Sequence, residues 1–284
     1  MGISQVSENN ELILSPTDKF YYLDSTSVQT NSKNYAYIRV IKDSKLKKES
    51  YVVKEYYRSG SLLMQGTTKA FDGYSKEGNA IYYYKNGSKK SEGEFIEDKK
   101  NRVSQYKINQ FWDMNGVQKV IDGNGFYEDQ EENETSRGQL KNGFKEGAWE
   151  GSLVNLDMKY NEIYSNGRLI SGISTDKNGV KNSYEFLEKK PEPKDGMDAF
   201  YKYVGKNFKT PQSPDNIGGK IYIAFIVDAD GKIVEPKILR DLGYGTGSEA
   251  VRVLTEYKDF VPGERRGRKV RCRFTLPITI GSKR

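Results

Sequence analysis

The sequence predicts a mostly β chain: an N-terminal β-hairpin-repeat domain followed by a small α+β domain, an antiparallel sheet with helices. Three observations predict it. Aromatic pairs followed by glycines recur at a nearly constant step through the middle of the chain. Asn-Gly and Ser-Gly dipeptides, natural hairpin turns, punctuate those copies. The last third reads as strand, Asp-Gly turn, strand, helix and alternating strand.

Residues 1–49 open with a loose tail over 4–17, and residues 35–41 alternate like a first strand. The repeats occupy 50–187. Their copies are Tyr56-Tyr57 with Gly60 and Gly66, Tyr83-Tyr84 with Gly87 and Gly93, and Phe111-Trp112 with Gly116 and Gly123. Weaker copies follow at Asn142-Gly143 with Gly147 and at Ile163-Tyr164 with Gly167 and Gly172. The first glycines are spaced by 27, 29, 27 and 24 residues, a repeat-architecture signature. Over 50–186 the pattern resembles MORN-type repeats, best at Lys141-Asn142-Gly143-Phe144-Lys145-Glu146-Gly147-Ala148-Trp149. That resemblance implies stacked hairpins offering a long face, and no single activity.

Residues 188–196 read as a linker, held extended by Pro191 and Pro193 and wetted by charge. From 197 the last domain begins with a short helix carrying Phe200, Tyr201, Val204 and Phe208 on one face. A strand over 220–227 has apolar residues on both faces, so both are expected to be covered. Asp230-Gly231 turns it into a second strand, 232–240, where Pro236 demands a bulge or an edge. Residues 247–257 read as a helix with Ser248, or Gly247, at its cap. Along 269–280, Val270, Cys272, Phe274, Leu276, Ile278 and Ile280 face one way, Arg271, Arg273, Thr275 and Thr279 the other.

Over 198–280 this order resembles the TonB C-terminal domain family. Thr210-Pro211, Gly218 or Gly219, Asp230-Gly231, Phe260-Val261-Pro262-Gly263 and Phe274-Thr275-Leu276-Pro277-Ile278 stand where the family has its landmarks. Thr210 replaces the family's Tyr, and Phe208-Lys209 stand where a Gln is usual. The resemblance implies a non-catalytic protein in the periplasm of a Gram-negative bacterium, taking part in TonB-dependent transport. Its partner would be a segment of an outer-membrane TonB-dependent receptor, added as a strand along Val270, Arg271, Cys272, Arg273, Phe274, Thr275 and Leu276. Phe208, Lys209, Thr210 and Pro211 form the implied secondary contact. Pulling on a receptor also needs a membrane anchor and an inner-membrane energising complex, and no anchor or signal segment is legible in this sequence. An open sheet edge also allows pairing with a second copy. The competing reading is a cell-envelope scaffold or wall-binding protein whose repeats are the interaction surface.

Composition narrows the chemistry. One cysteine and no histidine exclude an intrachain disulfide, Cys/His zinc sites and Ser-His-Asp or Cys-His catalysis. Composition leaves carboxylate-only mechanisms and oxygen-ligated calcium open, but nothing in the spacing asks for them, and neither an enzyme activity, a cofactor nor a metal is expected. Residues 197–284 hold 17 Lys+Arg against 10 Asp+Glu, the whole of the +7 net charge. Such a surplus suits nucleic acid, anionic lipid or an acidic protein, and no aromatic-rich RNA signature favours the first.

Several motifs admit a sharper reading, and in each the plainer one is preferred. Gly243-Tyr244-Gly245-Thr246-Gly247 lacks nucleotide-loop spacing and reads as a connector. Arg265-Arg266-Gly267-Arg268-Lys269 reads as a solvated hairpin, Asp228 and Asp230 as a turn, and the acidic run 128–134 as a solvated loop. Tyr82, Tyr83, Tyr84, Phe111, Trp112 and Trp149 read as hairpin core before sugar platforms, and Cys272 as a small buried side chain.

Overall fold

A computed structural model describes residues 15–24, 27, 29–47, 50–70, 72–98, 103–130, 133–211 and 218–281. Most of the tail expected over 4–17, and part of the acidic run 128–134, lie outside them.

Fourteen strands form one antiparallel meander in chain order. They are β1 (Lys19–Leu23), β2 (Tyr37–Lys47), β3 (Ser50–Tyr57), β4 (Leu62–Thr68) and β5 (Lys76–Tyr83). Then come β6 (Lys89–Asp98), β7 (Val103–Trp112), β8 (Gln118–Ile121), β9 (Asn124–Gln130) and β10 (Glu134–Lys141). β11 (Phe144–Leu153), β12 (Met158–Ser165), β13 (Arg168–Asp176) and β14 (Lys181–Tyr184) complete it. The chain is thus mostly β, dominated by this sheet, with two α-helices among the described residues. That overturns the expected fold class, a hairpin-repeat domain followed by a TonB-C-like α+β domain. The hydrogen-bond ladder does not start at residue 50: β1 and β2 already belong to it.

Two kinds of turn close the hairpins. Gly60, Gly87, Gly116 and Gly179 alone take positive φ, closing three-residue loops in which the glycine N–H donates back to Tyr57, Tyr84, Asp113 and Asp176. At Asp122-Gly123, Asn142-Gly143 and Asn166-Gly167 both residues are left-handed, the type I′ geometry. Some glycines inside the strands have another task. A Cβ at Gly138 would lie 2.5 Å from the Trp149 ring on the paired strand, and one at Gly93 would lie 2.9 Å from Tyr106. A glycine inside the strand is the seat for a neighbouring ring.

The chain divides into two compact units: one up to Asn155 with Ile163–Arg168, the other Leu156–Glu162 with Leu169 onward. In the first, Ile41, Val53, Met64 and Ala80 make one core and Val40, Tyr56 and Leu62 another. Adjacent residues 40 and 41 feed different cores because side chains alternate along β2. Trp149, Tyr127 and Phe111 stack with centroids 5.8 and 4.4 Å apart. Asp129 is not a solvated acid: it pairs with Lys90 at 2.6 Å, both side chains nearly buried.

The second unit adds short strands and two helices. β15 (Glu188–Lys189) pairs with β20 (Gly263–Arg265), which pairs with β21 (Arg268–Val270). β16 (Glu192–Pro193) pairs with β19 (Phe260–Val261). The segment expected to be a linker is therefore paired, and both its prolines are buried. A third sheet runs β18-β17-β22, from β17 (Gly219–Val227), β18 (Ile233–Arg240) and β22 (Cys272–Ile280). Helices α1 (Gly196–Asn207) and α2 (Thr246–Glu256) cover one face, burying Ile221, Ile223, Phe225 and Val227 under Phe200, Val204, Val253 and Leu254. Tyr222, Ala224 and Ile226 lie on the opposite face and are only half-buried, so the expectation that both faces are covered fails.

Candidate functional site

The expected edge residues divide between two sheets. Val270 ends β21 and pairs with Gly263. Arg271 is the connector, paired with Glu235. Cys272, Arg273, Phe274, Thr275 and Leu276 lie in β22, which borders β17 on one side and, among the described residues, no strand on the other.

Proline chemistry shows which backbone groups face that open side. Pro277 is opposite Tyr222 and has no N–H, so the two cannot be a hydrogen-bonded antiparallel pair. The register is unbroken, so pair types alternate. Phe225↔Phe274 and Ile223↔Leu276 therefore exchange bonds with β17. Ile226↔Arg273 and Ala224↔Thr275 do not, and Arg273 and Thr275 turn N–H and C=O to the open edge. Their side chains are exposed, whereas Phe274 and Leu276 point toward the helices. Of the seven residues, Arg273 and Thr275 offer a ladder within β22, and Pro277 interrupts its donors beyond. The opposite edge, β18, is irregular: Glu235 has φ 52 before Pro236, and register shifts interrupt its pairing. A bulge with proline blunts an edge.

The four secondary residues are held elsewhere. Phe208 caps α1 and packs on the core. The Lys209 N–H donates to Glu249 Oε1 at 2.8 Å, and Arg252 donates to the Asn207 carbonyl. The Arg252 hydrogen bond holds the Glu249 carboxyl down at about 2. Thr210 is exposed and Pro211 half-buried. These ties bind the segment to α2.

Other motifs resolve into structure. The Asp241 carboxylate accepts from the N–H groups of Gly243 and Gly247 and from the Thr246 hydroxyl, so an acid of this chain occupies the place a phosphate would take. These bonds, the Thr246 bond foremost, hold its pKa below the usual carboxylate range. They also cap α2 from outside, where Ser248 was expected. Asp228 Oδ1 accepts from the N–H groups of Asp230 and Lys232, spending the acid on its own turn. Arg266 is not solvated. It stands at φ 49 in the β20–β21 turn, 5% exposed, its Nε 2.7 Å from Glu162 Oε1 and its guanidinium 3.8 Å from the Tyr160 ring centroid. The Tyr184 hydroxyl donates to the same oxygen, and the Ser174 hydroxyl to the Arg266 carbonyl. Cys272 is half-buried against Gly263, and burial, then the Glu188 charge, pushes its thiol pKa up. The parity of the last strand was legible in the sequence; the Arg266–Glu162 pair was not, since 104 residues separate its members.

The first unit carries a second candidate surface, an open hollow of about 780 Å³ lined by Asn79, Glu92, Lys107, Asn109, Gln110 and Asp122. No helix among the described residues is long and apolar enough to cross a membrane. Compared with known proteins, the chain matches no family model, no curated protein and no solved structure.

Proposed function

We propose that this chain is a non-catalytic binding protein that takes an extended partner segment as an added strand along β22. One observation carries the reading: Arg273 and Thr275 turn backbone donors and acceptors that β17 does not use toward a side of β22 that has no neighbouring strand among the described residues. Two such residues support about four backbone bonds, each worth about 0.5–1.5 kcal/mol net. Less the cost of ordering the incoming segment, that gives weak, reversible binding, on the order of 100 micromolar or weaker without side-chain help. The resemblance of 198–280 names the partner: a segment of an outer-membrane TonB-dependent receptor, met in the periplasm of a Gram-negative bacterium. Arg273 favours an acidic or polar segment.

The test is calorimetry of the full chain with peptides from the periplasmic ends of such receptors. Arg273→Pro and Thr275→Pro each remove an outward N–H that β17 does not use, so the fold survives and binding is expected to be lost. Unchanged binding in both would sink the proposal. Loss of self-association instead of peptide binding would identify a second copy as the occupant of the edge.

A second reading, an envelope scaffold or wall-binding protein, draws on the amide- and carboxylate-lined hollow of the first unit. It predicts that envelope partners persist after Thr275→Pro and disappear after charge reversal at Lys107.

A further inference from the structure

The uncovered face of the β18-β17-β22 sheet has its own chemistry. The register places Tyr222, Ala224 and Ile226 of β17 in a central strip, with Val234 of β18 and Thr275 and Pro277 of β22 beside it. These side chains are half-buried or exposed, and none belongs to the core under the helices. Around the strip stand Lys220, Lys237, Arg240 and Arg273, all exposed. Lys237 is level with Ala224, Arg240 with Tyr222, and Arg273 with Ile226, on opposite sides of β17. Among the described residues none of the four is paired with a carboxylate, whereas Arg271 is paired with Glu235. Four uncompensated cations around an apolar strip are costly neighbours for one another, and an anionic partner relieves that repulsion.

We infer that this face docks an acidic amphipathic α-helix of a partner protein. Charge complementarity and width argue for that occupant. Three strands set the flanking rows of cations roughly 10 Å apart, two inter-strand spacings. A helix with side chains is about 10–12 Å wide. Laid on the strip, it buries one apolar stripe on Tyr222, Ala224 and Ile226 and carries carboxylates on both flanks to Lys237 and Arg240 on one side and Arg273 on the other. Single-stranded nucleic acid fits less well. It wants successive aromatic platforms, and the strip offers Tyr222 alone. This inference stands apart from strand addition: it uses the face of the sheet, not its edge.

The experiment is fluorescence anisotropy of the full chain with a labelled 16-residue peptide bearing leucines on one helical face and glutamates on both flanks. Its controls are a scrambled isomer of equal charge and a 15-residue oligothymidine. The helix is expected to bind at least tenfold more tightly than its scramble. Binding is expected to fall at least tenfold in Lys237→Glu with Arg240→Glu, and to be unchanged in Lys232→Glu, whose cation lies at the hairpin turn beside Asp230. Equal binding of the scramble, an unaffected double variant, or tighter binding of the oligothymidine would each overturn the inference. Lys237 and Arg240 lie on β18, away from the β22 edge, so their double variant leaves receptor peptides bound while it releases the helix, and the two proposals fail separately.

Discussion

Replacing Glu162 by glutamine should loosen the second unit by about 3 kcal/mol, and the pair's burial sets the size of the effect. Glu162 is 1% and Arg266 5% exposed, with 2.7 Å between Nε and Oε1. Removing one partner of such a pair leaves an uncompensated charge away from water, which costs about 3–5 kcal/mol. Glutamine keeps an acceptor for the Tyr184 hydroxyl, and the Tyr160 ring still faces the guanidinium, so the lower end applies. Arg266→Asn is the matching change, because asparagine tolerates the φ of 49 at that turn. It leaves a buried carboxylate and costs a similar amount. The double variant should cost about as much as either single one, a coupling of about 2–3 kcal/mol. Cys272 is the sole thiol and lies in this unit, so its labelling by an aromatic disulfide reports opening. A 3 kcal/mol loss raises the open population, and with it the labelling rate, roughly 100-fold. Rates within about fivefold of the parent, or costs that simply add, would refute this account.

Other expectations concern turns, rings and pH. Gly138→Ala should destabilise the first unit by about 1–3 kcal/mol by driving a methyl into the Trp149 ring, visible as a lower urea midpoint followed by tryptophan fluorescence. Burial pushes the Tyr56, Tyr84 and Tyr106 hydroxyls up to about 12. Their raised pKa contributes stability that is complete below pH 10 and lost as pH climbs from 10 toward 12, so alkaline titration should unfold the first unit in that window; a flat profile there would contradict it. The depressed Glu249 carboxyl acts in the opposite sense: its stabilisation is present above about pH 4.5 and disappears as pH falls toward 2, and Glu249→Gln should flatten the acid limb of a thermal melt. Asp241→Ala should cost about 1 kcal/mol by uncapping α2, seen as earlier hydrogen exchange at Gly247.

Local signals were legible because they are local. The positive φ at Gly60, Gly87, Gly116, Gly143 and Gly167 follows from dipeptides that can hardly do anything else. The alternation of residues 272–280 and the handicap of Pro236 could likewise be read residue by residue. Gly93 and Gly172 were visible as members of a period, but their purpose needed the ring on the next strand. The linker misread shows the opposite limit. Prolines and charges over 188–196 describe an extended segment equally well whether it is wet or pairs with β19 and β20. Arg266 shows the same for charge: the four basic residues of 265–269 look alike until one of them meets Glu162.

By itself the sequence determined where the chain turns, which residues of each strand share a face, and which catalytic chemistries are excluded, since these depend on neighbours a few bonds apart. Only the tertiary structure decided that β1 extends the repeat ladder ahead of β2 and that residues 188–193 pair. It alone decided that a cation is buried at Arg266 and that, among the described residues, one side of β22 and one face of its sheet stay open. Pairing partners and exposure are set by groups distant in sequence, and a chain's local pattern is compatible with many such partners.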